Sequence, residues 1–296
     1  MKKPDVALRA NEPLGTGLLR VGEDLIESIT DSSDPSSQEE AEYVHTVRTT
    51  IKQLRALLRL IRPPVGETFF NRENARLRAA AQRLSSARDV EVARDTLKNI
   101  SASDETEKKA VAAALAGLQT KGKEPADIHQ ALSEARRDLE QTKRNLQRLR
   151  LAGEWEVIER GLRDVYRQSR KRMNTALQAG DDEAFHKWRI RVKNLYYQLQ
   201  MLEPVWPKRL DKMTSRLAKL QHKIGLDHDI AVLKGLLRKT PDAFGGTETV
   251  ERLIRSLENN SQKLRHAVEP LGEAIFYKKP NRFVRKLERH WSNWRR

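Results

Sequence analysis

The chain has 296 residues, and its 57 Lys and Arg against 41 Asp and Glu give a formal charge of +16. That balance favours an acidic partner: nucleic acid, an anionic membrane or a phosphate polymer. The absence of cysteine excludes disulfides and thiolate chemistry. No apolar run of about 18 residues is present to span a bilayer. The opening MKKPDVALRANEP has charge but no apolar stretch behind it, so a secretory signal is not expected and a cytoplasmic location is the default.

Charged residues make up 33% of the chain and aromatics only 5%. Helix formers dominate and alternating β-branched runs are nearly missing, so the expected class is all-α. The charge is uneven. Residues 1–42 hold four Lys/Arg and ten Asp/Glu, which leaves 53 cations against 31 carboxylates on the remainder.

In chain order, a first amphipathic segment runs from about Gly15 to Thr30, and DSSDPSSQEE reads as a polar loop. The stretch HTVRTTIKQLRALLRLIR, His45 to Arg62, follows. At 100° per residue, His45, Arg48, Lys52, Arg55, Arg59 and Arg62 fall on one stripe. Val44, Val47, Ile51, Leu54, Leu58 and Ile61 fall on another. One face can enter a core while a basic edge stays at its rim, and cations aligned in this way repel unless an anion meets them.

Pro63-Pro64 stops that helix. A helix from about Glu67 to Ser86 carries Arg72, Arg76 and Arg83 on one face, and a shorter helix continues through Leu97. Further helices are expected over Asp104–Gln119, Ala126–Arg150 and Trp155–Ala179. The last of these shows Arg160, Arg163, Arg167 and Arg170 as a stripe. The helix of His186 ends near Pro204. Lys208 to Gly225 gives another, with Lys212, Arg216, Lys219 and Lys223 on one face, and a short helix follows Asp229. Two helices over about Val250–Ala274 and Pro280–Trp294 complete the chain.

An internal repeat organises these elements. HKWRIRVKNLYYQLQML begins at His186, 141 positions after His45, and pairs Arg189 with Arg48 and Lys193 with Lys52. At an offset of 140, Arg216 pairs with Arg76, Lys223 with Arg83 and Asp229 with Asp89. Two halves, residues 11–152 and 153–296, are therefore expected as a pseudo-twofold pair whose basic stripes line a common surface.

The pattern H-x-x-R-x-x-x-K, followed roughly 40 residues on by a basic helix and an Asp, occurs twice. It is carried by His45-Arg48-Lys52 with Arg88-Asp89-Val90, then by His186-Arg189-Lys193 with Asp227-His228-Asp229-Ile230. It closely resembles the conserved-histidine α-helical domain, CHAD, over nearly the whole chain from about Asn11 to Trp294. GLRDVYRQSRKRMNTAL looks like that family's helix before the second histidine motif. The resemblance implies two four-helix bundles related by pseudo-twofold symmetry and a basic surface that binds inorganic polyphosphate without catalysis. It further implies a polyphosphate granule or a polyphosphate-metabolising enzyme as partner. Two departures stand out: Tyr196 replaces the counterpart of Arg55, and the first segment is acidic at Glu23, Asp24 and Glu27. The ligand surface is therefore expected to lean toward residues 160–225.

A phosphate polymer offers closely spaced oxyanions and no base to stack upon, so it needs many donors at short repeats. Arg supplies forked contacts, Lys compact charge, and His a donor that strengthens on protonation. The expected ligand residues are His45, Arg48, Lys52, Arg55, Arg59, Arg72, Arg76 and Arg83 in the first half. In the second they are Arg163, Arg167, Arg170, His186, Arg189, Lys193, Lys212, Arg216, Lys219 and Lys223. Asp89 and Asp229 are expected to cap short helices or orient a cation.

No catalytic residue, metal ligand or cofactor is assigned. Glu105-Thr106-Glu107-Lys108-Lys109 fits the E-x-E-x-K string of triphosphate tunnel enzymes, but stands in a helical stretch with no strands for a barrel. His228-Asp229 is similar to the metal-binding pair of HD phosphohydrolases, yet no ordered set of further ligands accompanies it. Nucleic-acid binding is the alternative reading. The sixteen Phe, Trp and Tyr residues mostly occupy apolar faces, which provides poorly for base stacking.

Overall fold

The computed structural model describes residues 4–32, 39–84, 93–98, 105–119 and 125–295. The described residues are all-α, with no strand among them. The helices are α1 (Leu14–Thr30), α2 (Glu40–Leu60), α3 (Arg62–Arg83), α4 (Glu105–Gln119), α5 (Pro125–Gln147), α6 (Glu156–Ala179), α7 (Asp182–Met201), α8 (Pro207–Lys239), α9 (Thr247–Phe276) and α10 (Pro280–Trp294). Short 3-10 turns at Glu203–Val205 and Pro241–Phe244 flank α8, and residues 93–98 are also helical.

Local chemistry sets several of these bounds. Asp181 caps α7, its carboxylate accepting from the Ala184 amide at 2.7 Å, and Asp182 and Glu183 add negative charge to the first turn. Gly180 ends α6 with φ of 66°, a left-handed backbone that glycine adopts without strain. Pro63 and Pro64 do not merely stop α2. They open α3, whose first turn is set off from the rest by a kink at Gly66, φ 78°.

The expected break between Gly225 and Asp229 is absent. α8 runs unbroken for 33 residues, so Asp229 lies inside a helix and does not cap one. The reason lies two residues earlier. Asp227, 2% exposed, turns inward and accepts from Ser261 Oγ and from Arg265 Nε at 3.0 Å. A carboxylate satisfied by a neighbouring helix has no need to compete for the backbone of its own.

α1, α2, α3 and α5 pack on one another, as do α6, α7, α8 and α9. The two groups meet where α2 lies against α6 and α7, and α3 against α6. The apolar stripe read on α2 is the buried one: Val47, Ile51 and Ile61 have no exposure and Leu54 and Leu58 have 1%. One core cluster runs through both groups, from Leu18 and Val21 to Trp188 and Leu195. Gln198 Nε2 of α7 donates to the Ala56 carbonyl of α2 at 2.9 Å inside it. A smaller cluster joins Ala93, Leu97, Ala110, Ala114 and Leu118 to Ile230, Leu233, Phe244 and Leu253. Residues 93–98 and α4 therefore cover the far ends of α8 and α9, a crossing that neither half's periodicity announces.

Tyr166 fixes the C-terminal helices to α6. Its ring stacks on Phe283 with centroids 4.4 Å apart, and its hydroxyl donates to the carbonyls of Ile275 and Lys278. Burial pushes that phenol up to about 12.

Candidate functional site

The basic stripe of α2 emerges at the rim of the core, as its spacing requires. His45 is exposed, and Arg48, Lys52, Arg55 and Arg59 are half-buried. Their aliphatic stems lie along the helix surface while their heads reach outward. Arg48 Nη1 lies 3.4 Å from the Ala81 carbonyl of α3, and Arg55 Nε donates to Asn74 Oδ1 at 3.1 Å.

At the junction of the two helix groups the cations crowd. Arg59 donates from Nη1 to the Arg55 carbonyl at 2.8 Å, and its guanidinium carbon stands 5.7 Å from the centre of the Phe70 ring. Burial, then Arg55, Arg191 and Arg62, push its pKa down to about 9. Arg191 of α7 is lowered by burial and by Arg172 and Arg62. Arg55 is lowered by burial and by Arg78. Arg62 has a partner, Glu67, at 2.7 Å. Among the described residues, no carboxylate lies within ion-pair distance of Arg55, Arg59, Arg172 or Arg191. Guanidinium groups seldom lose water to one another without a compensating anion.

Arg172 and Arg191 were not among the residues expected from the sequence. Arg191 sits 140° from His186 around α7, off the His186–Arg189–Lys193 stripe that the repeat singles out. That rotation brings it near Arg172 of α6 and Arg62 at the start of α3. Its like-charged neighbours are distant in sequence, so spacing within one helix gives no sign of them.

A second grouping joins α7 to α8. His186 Nδ1 and His228 Nδ1 are 3.2 Å apart, with ring centroids at 4.6 Å. One ring must donate and the other accept, so the pair resists a second proton. Burial, then Arg189, His186 and Lys193, drive the His228 pKa down to about 3. His186 is lowered by burial, then by Arg189 and Lys193, against an opposing pull from Glu183. The sequence placed His228 in the second repeat of the motif and beside Asp229 as a metal-binding dipeptide, but not against His186. Among the described residues, no group of three or more His, Asp or Glu is placed to hold a metal. The E-x-E-x-K string begins on helix α4.

The pair predicts a pH dependence. Both imidazoles sit below their ordinary pKa in the folded chain, so the unfolded chain takes up protons first as the pH falls. Folding stability should therefore decline from about pH 6.5 downward. An anion held against Arg189 and Lys193 raises both pKa values, and the complex then binds more protons than the free protein. Polyanion affinity should rise as the pH falls below about 6.5. His228→Asn, which keeps a donor and an acceptor without titrating there, should flatten that rise. Equal slopes for parent and variant in a binding titration would count against the pair.

The remaining expected residues divide. Arg76 pairs with the fully buried Glu73 at 2.6 Å and with Asp138 at 3.9 Å. Glu73 also accepts from Arg72, Asn145 and Thr142. Arg83 pairs with Asp138 and with Glu134 at 3.2 Å. These three arginines thus tie α3 together and to α5. Arg163 pairs with Glu159 and Arg167 with Asp164. Lys212 and Lys219 are exposed, while Arg216, Lys223 and Arg170 are half-buried. Among the described residues, none of those five has a carboxylate within ion-pair distance. Arg88, Asp89 and Val90 lie outside the described residues.

Two clefts have other linings. One, of about 840 Å³, is lined by α5 residues including His129 and Arg136, with Arg76 of α3 and Thr30 of α1. The other, of about 810 Å³, contains Asp182, Lys234 and Arg265, where Lys234 Nζ lies 3.1 Å from Asp182. Neither lining includes Arg59 or the histidine pair. No helix among the described residues is long and apolar enough to cross a membrane.

The family model of the CHAD domain matches residues 25–238, well over half of the chain. No curated protein matches the chain.

Proposed function

We propose that this chain, which belongs to the CHAD family, binds inorganic polyphosphate or a comparably dense polyanion and is not itself a catalyst. The observation that carries the reading is the crowding of Arg55, Arg59, Arg172 and Arg191 where the two helix groups meet. Burial and neighbouring cations lower the pKa of Arg59 and of Arg191, and half-buried guanidinium groups without a carboxylate partner hold free energy against an anion yet to arrive. A chain of linked phosphates answers that arrangement better than an isolated ion, because each oxyanion meets a separate forked donor.

On this reading the halves 11–152 and 153–296 form a pseudo-twofold pair around the junction. The His45–Lys52 stripe approaches it from one side and the His186–Lys193 stripe from the other. Arg216, Lys219 and Lys223 extend the track along α8. Arg72, Arg76, Arg83, Arg163 and Arg167 serve it at the margin, where the polymer competes with their carboxylate partners. The cellular setting that follows is a cytoplasmic polyphosphate granule or an enzyme that makes or cleaves the polymer, with this chain presenting the substrate. Nucleic acid is the alternative ligand for the same cations. At this surface it lacks exposed rings on which bases could stack.

Replacing Arg189 and Lys193 together by alanine tests the α7 side. Polyphosphate affinity should fall by roughly 10- to 100-fold. The slope of log affinity against log salt should become shallower by about 1 to 2, as two phosphate contacts are lost. Thermal unfolding should stay within a few degrees of the parent. Unchanged affinity and slope would remove α7 from the site.

A further inference from the structure

All sixteen aromatic side chains fall within the described residues, and Tyr277, 57% exposed, is the one fully at the surface. It stands in the connection between α9 and α10, beyond the family-matched stretch 25–238. Arg209 Nη2 donates to its hydroxyl at 2.8 Å, and Lys278 Nζ lies 5.2 Å from its ring centre. Arg209, Lys278 and Lys286 together hold the phenol below its ordinary pKa, after its bond to Lys278. Nearby, Trp206 stacks on His290 with centroids 3.8 Å apart and planes at 14°, and Lys286 Nζ lies 5.4 Å from the Trp206 ring centre. Cations and aromatic faces therefore alternate across the start of α8 and the length of α10.

α10 adds charge along its outer side. Arg282, Arg285, Lys286 and Arg289 are exposed at i, i+3, i+4 and i+7. Glu288 is the lone carboxylate in the helix. Among the described residues, none of those four cations is ion-paired. Arg209 also belongs to the stripe of Lys212, Arg216, Lys219 and Lys223, all within 80° of it around α8.

We infer that this face is a second binding surface, and that its ligand is single-stranded nucleic acid. A bare phosphate polymer has no use for an exposed ring, whereas an unpaired base stacks on one. Arg and Lys beside the ring answer the phosphodiester. A membrane is the poorer partner, because the apolar side of α10 is spent on the core: Val284 and Leu287 are fully buried, Trp291 is 4% exposed and Phe283 6%. Tyr277 and the cations of α10 carry this inference without the polyphosphate reading, although their surface adjoins the α8 stripe.

The test compares an oligodeoxyadenylate of about a dozen nucleotides with an abasic strand of equal length and charge, on the full chain. The parent should bind the adenylate roughly 5- to 100-fold more tightly than the abasic strand, the range of one stacked base. Tyr277→Leu, at an exposed position, should remove that preference and leave polyphosphate affinity within about twofold. A parent that does not distinguish the strands would overturn the inference. So would a Tyr277→Leu that weakens adenylate, abasic strand and polyphosphate alike, or that releases the chain from phosphatidylserine vesicles with the strand preference intact. Loss of polyphosphate binding with a surviving Tyr277-dependent preference would count only against the first site.

Discussion

Converting Arg59 and Arg191 together to methionine should give a protein that melts higher than the parent and binds polyphosphate at least about 100-fold more weakly. The two effects share one cause. Arg59 is held among Arg55, Arg62 and Arg191 with its pKa lowered to about 9, so the unliganded fold bears the cost of dehydrating and crowding these charges. Methionine fills similar space and removes that cost. Apolar replacement of buried charge is often neutral or stabilising by about 1–4 kcal/mol, a rise in Tm of roughly 2–10 °C for a chain of this size. The ligand loses two charge-assisted contacts at about 1.5–3 kcal/mol each. A scanning calorimetry trace and a binding titration on one preparation check both parts. Lower melting together with undiminished binding would mean that the arginines serve only the fold.

Among the described glycines, Gly161→Ala should be the most damaging added methyl. A Cβ at Gly161 would lie 2.0 Å from the Leu60 carbonyl oxygen, 2.8 Å from its carbon and 3.0 Å from the Arg59 carbonyl oxygen. These are backbone atoms, so no side chain can step aside, and α6 must move away from the end of α2. Overpacking of this kind costs roughly 1–3 kcal/mol, a fall in Tm of about 2–8 °C. The end of α2 is also where Arg59 and Arg62 are carried. The shift should therefore lower polyphosphate affinity by about the worth of one charged hydrogen bond, tenfold or more. Melting unchanged from the parent would show that the helices part without cost.

Much of the fold could be read from the chain. The bounds of α1, α6 and α10 follow from apolar spacing and from Gly and Pro punctuation, and the buried side of α2 is the side its periodicity marks. The reading missed where tertiary partners outvote local signals. Gly225 and Asp229 look like a break, but Asp227 is satisfied by Ser261 and Arg265 of α9, which lie over 30 residues away, and α8 continues. The site was legible as stripes and illegible as a constellation. Spacing finds His186, Arg189 and Lys193 because they repeat the order of His45, Arg48 and Lys52. It cannot find Arg191 or Arg172, whose meaning comes from the way α6 and α7 rest on α2. Nor can it tell a waiting cation from one already matched. Arg76 and Arg83 follow the same spacing as Arg216 and Lys223, yet Glu73, Asp138 and Glu134 hold the first two.

The most direct test is competition for this 296-residue chain between long polyphosphate and duplex DNA matched for total phosphate, followed across several salt concentrations. Duplex DNA presents the same charge at wider spacing and with its bases stacked away, so it probes the junction arginines with little help from Tyr277. Polyphosphate should displace DNA at every salt concentration, with the steeper salt dependence belonging to polyphosphate. Preferential retention of DNA would contradict the polyphosphate reading.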